Sequence, residues 1–271
     1  MYMKKLNVVS IVGSQKGKIR KINQDNFLLN GKGTGKQLID DIIDQTKSKE
    51  PFQMYGVFDG LGGESCGEEA ASIATSIAHY YLNTLKDKVI SDMDRLLALY
   101  FKDTNDQICQ MAREKNIVAS GTTAAILCLV NNVFYGANIG DTKVFLYRNH
   151  LLQQLSVDHT EYELRKRLFM QKEMRQQDLG SNRLTQYLGI DEEEMLIEPC
   201  YFKVTPKAKD ILLLCSDGLT EKLTTKDILD VLEANKNVEA MLYALLEAAE
   251  QLNTRDNRTV MLLQVNRSFF A

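Results

Sequence analysis

Between Thr122 and Leu155 four β-like runs follow one another almost without pause: Thr122 to Val130, Val133 to Asn138, Lys143 to Tyr147 and Leu151 to Leu155. Only Asn131-Asn132, Gly140-Asp141-Thr142 and Arg148-Asn149-His150 separate them. Links this short are of hairpin length and cannot carry the crossover that parallel neighbours require. The block therefore predicts antiparallel pairing and excludes a doubly wound parallel sheet. Further β-like runs lie at Leu6 to Val12, Phe27 to Leu29, Met54 to Phe58, Pro199 to Val204, Ile211 to Cys215 and Thr259 to Val265.

Helical spacing of small and apolar residues marks Glu64 to Leu85 (Ala70, Ile73, Ala74, Ile77, Tyr81) and Asp92 to Lys115 (Leu96, Leu97, Tyr100, Ile108, Met111). Lys226 to Ala234 and Val238 to Leu252 read as a second amphipathic pair, and Thr160 to Asp178 as a basic helix. Strands and helices come in blocks, so the fold class is α+β. Two helix pairs flanking two antiparallel sheets make a four-layer α/β/β/α sandwich. No internal repeat or boundary divides residues 1–271, which read as one domain. The polar stretch Asn30 to Glu50 is expected to be a long surface loop or a short excursion. Its Gly31-Lys-Gly-Thr-Gly-Lys36 is not a phosphate-binding loop, because Asn30 stands where the first glycine belongs and Gln37 follows the lysine.

Composition narrows the function classes. The net charge of −3 gives no general attraction for nucleic acid or an anionic membrane. Five cysteines with no C-x-x-C spacing point to free thiols in a reducing compartment, and three scattered histidines argue against zinc. No run approaches the ~20 apolar residues of a membrane span, and the N-terminus lacks a signal-peptide core. A cytoplasmic monomer is the expectation.

Four aspartates sit in settings that suit a metal ligand better than a surface charge. Asp59 in Tyr55-Gly-Val-Phe-Asp-Gly60 and Asp217 in Leu212-Leu-Leu-Cys-Ser-Asp-Gly218 each close an apolar run and precede glycine. Asp256 opens the run Asp256-Asn-Arg-Thr-Val-Met-Leu-Leu, and Asp25 ends Arg20-Lys-Ile-Asn-Gln-Asp25. Each of the two Asp-Gly pairs reads as a strand delivering its carboxylate into a glycine turn. Carboxylates gathered in this way repel one another until a cation neutralises them, and hard oxygen donors suit magnesium or manganese.

Seven motifs occur in order: Arg20-x-x-Asn23-Gln24-Asp25, Val57-Phe-Asp-Gly-Leu-Gly-Gly63, Ser120-Gly-Thr-Thr-Ala-Ala125, Ala137-Asn-Ile-Gly-Asp-Thr142, Ser156-Val-Asp-His159, Leu213-Leu-Cys-Ser-Asp-Gly-Leu219 and Asp256-Asn-Arg-Thr-Val260. Together they closely resemble the metal-dependent serine/threonine protein phosphatases of the PPM, or type 2C, family in its bacterial form, from about Val8 to Val265. The resemblance implies two magnesium or manganese ions. Asp59 would bridge them, the Gly60 carbonyl would ligate one, and Asp217 and Asp256 would complete the other. Asp25 would hold metal-bound water, Arg20 would bind the substrate phosphate, and a third ion would sit near Asp141 and draw on Asp217. The implied reaction is hydrolysis of phosphoserine and phosphothreonine by a metal-bridged hydroxide without a covalent intermediate. The implied substrates are phosphorylated proteins, opposing a serine/threonine kinase. Residues around 160–198 would form the variable flap, and the cations Arg165 to Arg175 would either attract phosphorylated segments or form a solvated helix face.

Two positions depart from the family pattern. Gln24 stands where many members have glutamate, which predicts weaker affinity for one metal. Leu61 stands where some carry a histidine, which leaves the general acid unassigned. A catalytically silent phosphoprotein-binding module is the alternative function; a two-metal phosphodiesterase or small-molecule phosphatase is a third. Among the remaining polar residues, Thr122 and Thr123 are expected to bond the backbone, His159 to order its loop, and Asn257 either to cap a turn or to touch the site.

Overall fold

The computed structural model describes residues 6–33, 38, 41–61, 66–88, 90–169 and 181–267. Among them two antiparallel sheets lie face to face. The first runs in the order β3 (Ile42–Ser48), β1 (Leu6–Gln15), β12 (Arg258–Arg267), β11 (Ile211–Cys215), β8 (Lys143–Arg148) and β9 (Leu151–Gln154). The second runs β10 (Cys200–Val204), β7 (Val133–Ile139), β6 (Ala124–Val130), β4 (Phe52–Leu61) and β2 (Asp25–Leu29), with the two-residue β5 (Gly121–Thr122) on the far end of β4. Helices α1 (Gly67–Leu85) and α2 (Met93–Glu114) cover the second sheet, while α5 (Thr225–Ala234) and α6 (Val238–Gln251) cover the first. The expected four-layer α/β/β/α arrangement is what forms.

Strand alternation builds the layers. Tyr55 and Val57 of β4, Leu212 and Leu214 of β11 and Met261 and Leu263 of β12 fill the core between the sheets. Their neighbours point the other way. Met54 and Phe58 meet Ala70, Ala74, Tyr100 and Phe101 of the first helix pair. Leu213, Cys215, Val260 and Leu262 meet Ile228, Leu232, Leu242 and Leu245 of the second. Both faces of each central strand are thus buried, which is why these strands read as unbroken apolar runs. Side chains mark the helix starts: Asp92 accepts from the Arg95 N–H at 3.0 Å, and Thr224 and Asp227 form a reciprocal capping box before α5.

Two expectations are corrected. The stretch Asn30 to Glu50 is not all loop, for it contains β3, an edge strand paired with β1. Its polar, half-exposed Ile-Ile-Asp-Gln-Thr-Lys-Ser sequence carries little apolar signal, as an edge strand allows. Gly140-Asp141-Thr142 is not a hairpin either. It carries the chain from β7 in one sheet to β8 in the other. Packed sheets stand ~10 Å apart, and three extended residues span about that distance. The Asn131-Asn132 and Asn149-His150 links are hairpins, with both central residues at positive φ in each.

The basic helix is described as α3 (Glu161–Phe169), and residues 170–180 lie outside the described residues, as do residues 34–37 of the glycine-rich stretch and Gly62 and Gly63 of the Asp59 motif. All five cysteines are free thiols. Among the described residues no helix is long and apolar enough to cross a membrane.

Candidate active site

The sequence-predicted aspartates converge where the two sheets meet at one edge. Asp25 opens β2 and lies opposite Asp59 in the β2–β4 register. Like charges facing each other across an antiparallel pair are unfavourable. The opposing sheet supplies partial relief: Ser216 Oγ and Thr259 Oγ1 donate to Asp25 Oδ2 at 2.8 and 2.7 Å. Ser14 Oγ lies 2.8 Å from Thr259 Oγ1 and receives the Asn23 Nδ2 donor at 3.0 Å, so a buried chain of donors ends on one oxygen of Asp25. The other oxygen, Asp25 Oδ1, is buried without a partner, and so is Asp217 Oδ1. Ser216 and Thr259 were not singled out in the sequence. Their one signal there is position, directly before Asp217 and three residues after Asp256.

Burial and mutual repulsion raise these acids. Asp25 is pushed up to about 7, chiefly by burial and against the pull of its two hydroxyl donors. Burial, then Asp141, Asp256 and Asp25, take Asp217 to about 8. Asp59 lies well above the usual carboxylate range, from burial first and then from the charges of Asp25, Asp217, Asp256 and Asp141. Asp141 is raised by burial and restrained by Lys143. Among the described residues, however, no three His, Cys, Asp or Glu side chains stand at closed ligand spacing. Asp256 is engaged elsewhere: its Oδ2 takes Arg20 Nη2 at 2.5 Å. The donor set is all oxygen, which fits a hard divalent cation.

The glycines beside the two central acids have a different purpose from the expected turns. Gly60 lies inside β4, and a Cβ there would stand 2.3 Å from the Gly67 carbonyl oxygen and 2.6 Å from that of Gln24. Gly218 lies in the four-residue helix α4 (Asp217–Thr220), where a Cβ would come within 1.9 Å of the Asn257 carbonyl oxygen. Both positions demand close backbone approach, and neither has a positive φ. Asp59 is likewise internal to its strand, and Asp217 opens a helix.

Asn257 ties down the arginine-bearing connection between β1 and β2. Its Nδ2 donates to the Lys16 and Ile22 carbonyls at 2.8 and 3.0 Å, and its Oδ1 accepts the Gln24 N–H at 2.9 Å. Gln24 turns its own carboxamide to Glu68 Oε2 at 3.2 Å. Thr122 Oγ1 donates to the Asp59 carbonyl as expected, whereas Thr123 instead meets the Thr142 hydroxyl. His159 accepts the Gly140 N–H on Nδ1, and its backbone N–H donates to the Gly140 carbonyl, fixing the loop that carries Asp141. A polar cavity of about 440 Å³ opens beside Asp141 and Asp217, with Lys143, Asp158, Lys166 and Glu221 in its walls.

The family model described as protein phosphatase 2C matches residues 34–257, most of the chain. The chain belongs to the protein phosphatase 2C family. This phosphatase is 27% identical over 256 residues to the serine/threonine phosphatase stp of Listeria welshimeri, with 93% of this chain and 94% of that protein covered. It is 28% identical over 228 residues to the protein phosphatase PhpP of Streptococcus pneumoniae, covering 83% and 91% of the two chains. Its fold is that of the catalytic domain of the serine threonine protein phosphatase PstP in complex with 2 manganese ions, with a TM-score of 0.75 at 21% identity over 96% of this chain and 99% of that one. As a member of the family it is a hydrolase, a phosphoprotein phosphatase.

Proposed function

We propose that the protein hydrolyses phosphoserine and phosphothreonine esters at the carboxylate centre of Asp25, Asp59, Asp217 and Asp256, with two magnesium or manganese ions held there. The observation that carries this reading is the pair of buried, unpartnered oxygens, Asp25 Oδ1 and Asp217 Oδ1, within a cluster whose members raise one another's pKa. A buried acceptor without a donor is costly, and so is a buried carboxylate without a counter-charge. A divalent cation answers both needs through oxygen donors. Asp59 and the Gly60 carbonyl would help to hold the ions. Asp217 and Asp256 would hold the second ion, Asp25 would order water outside the direct ligands, and Asp141 with Asp217 would serve a third. The two manganese ions of the PstP complex support the stoichiometry.

When bound, the ions supply charge neutralisation at the phosphate and a water acidified towards neutrality. The rest of the chemistry falls to the chain. Arg20 exchanges Asp256 for the substrate, its planar fork taking two phosphate oxygens. Ser216 and Thr259 hold the Asp25 carboxylate in one orientation and leave Oδ1 free. A covalent cysteinyl intermediate is disfavoured, since burial pushes the thiols of Cys128 and Cys215 up to about 12. The substrates are phosphorylated proteins, opposing a serine/threonine kinase in the cytoplasm. Residues 1–271 act as one monomeric domain, with 160–198 as the variable segment beside the site.

Phosphate release from a phosphothreonine peptide, with manganese and with chelator, tests the reading. Wild type is expected to turn over only with metal, and Asp217→Ala to lose at least about a hundredfold in kcat. Equal release by both proteins, or release that survives chelation, overturns it.

A further inference from the structure

Beside the carboxylate centre, on the same strand, lies a second cavity of about 300 Å³, lined by Leu61, Ala119, Ser120, Gly121, Leu184 and Tyr187 with Arg183 at its rim. We infer that this cavity is a specificity pocket that takes an apolar side chain of the substrate protein two or three residues from the phosphorylated one, with Arg183 favouring an acidic neighbour. The inference rests on the proposed protein substrate and adds a subsite to it.

Position comes first. Leu61 follows Asp59 by two residues on β4, and a strand advances ~3.3 Å per residue, so the pocket begins about 7 Å from the Asp59 backbone. An extended substrate covers the same distance in two or three residues. The walls are built rather than incidental. β5 pairs Gly121 with Leu61, and Thr122 exchanges two backbone hydrogen bonds of 2.9 Å with Leu188. Those bonds bring the Tyr187 ring onto Gly121, where a Cβ would meet its Cδ2 at 2.6 Å. Asn105 of α2 fastens the next turn, accepting from the Gly189 and Ile190 N–H groups and donating to the Ile190 carbonyl at 2.9 Å. Ser120 Oγ is occupied with the Cys66 carbonyl, so the interior offers mainly apolar surface.

Charge supplies the second half of the argument. Arg183 is exposed and its guanidinium makes no ion pair among the described residues. An apolar cavity lined in part by an exposed cation that makes no ion pair among the described residues complements an apolar side chain followed by a carboxylate.

The test is a panel of phosphothreonine peptides in which leucine, then a leucine–aspartate pair, is moved from three residues before to three residues after the phosphothreonine in a serine–glycine background. Small aryl phosphate serves as the control substrate. Wild type is expected to prefer leucine at one position two or three residues away by about tenfold in kcat/KM. Tyr187→Ala should flatten that preference, and Arg183→Glu should abolish or reverse the effect of the added aspartate. Both variants should keep kcat/KM on aryl phosphate within about twofold of wild type. A flat profile for active wild type overturns the pocket alone. So does retention of the aspartate preference in Arg183→Glu, whose exposed position spares the fold. No release from any peptide overturns the pocket together with the proposed substrate class.

Discussion

At the residue scale the carboxylates and their adjoining glycines act as one unit. Gly218 has no room for a side chain against Asn257, so Gly218→Ala must push α4 away from the segment before β12 that carries Asp256. A loss of about 2–3 kcal/mol in urea unfolding is expected, with weaker apparent manganese affinity in the same variant. Full stability and unchanged affinity would mean that the approach is soft. The acids themselves make a pH prediction. Asp25 is raised from 3.8 to about 7 and Asp217 from 3.8 to about 8. Between those limits the folded chain keeps protons that the unfolded chain has released, so stability is present below about pH 4 and falls as pH rises towards 8. Chelated protein should therefore melt at a lower temperature at pH 8 than at pH 5, and saturating manganese should remove most of that difference. A melting temperature that rises over this interval under chelation contradicts the account.

At the element scale, the connection between β1 and β2 carries Arg20 and is held by one side chain. Asn257→Ala removes three hydrogen bonds and leaves the Lys16 and Ile22 carbonyls and the Gln24 N–H to find other partners. The expected cost is about 2–3 kcal/mol. Because the loop bears the phosphate-binding arginine, KM for a phosphothreonine peptide should also rise several-fold; an unchanged KM in a destabilised variant would reduce Asn257 to a purely structural role. Element boundaries were legible to the extent that side chains faced a single environment. The apolar spacing from Leu96 to Met111 marked α2 to within a residue of its cap, Asp92. β3 was not legible, because an edge strand open to solvent needs no apolar face. The Gly140-Asp141-Thr142 link was misread for a geometric reason: a hairpin and a step between stacked sheets require the same length of chain.

At the scale of the whole molecule, the core between the sheets aligns the two halves of the site. Asp25 and Asp59 belong to one sheet, whereas Ser216, Asp217 and Thr259 lie on or beside strands of the other. Leu214→Ala, at a fully buried position in that core, should cost about 2–5 kcal/mol in unfolding. It should also raise the manganese concentration needed for half-maximal rate, because the cavity loosens the sheet contact two residues from Ser216; a stability loss with no change in metal demand would uncouple core from site. The sequence by itself determined the class of fold, the order of the layers and which aspartates to gather, since apolar periodicity and the seven ordered motifs are local properties of the chain. Only the tertiary structure decided how those aspartates meet. The Asp25–Asp59 register, the hydroxyls of Ser216 and Thr259, the arginine on Asp256 and the clearance at Gly60 and Gly218 depend on strand pairing within each sheet and on the packing of one sheet against the other and against the helices, which no local stretch of sequence specifies.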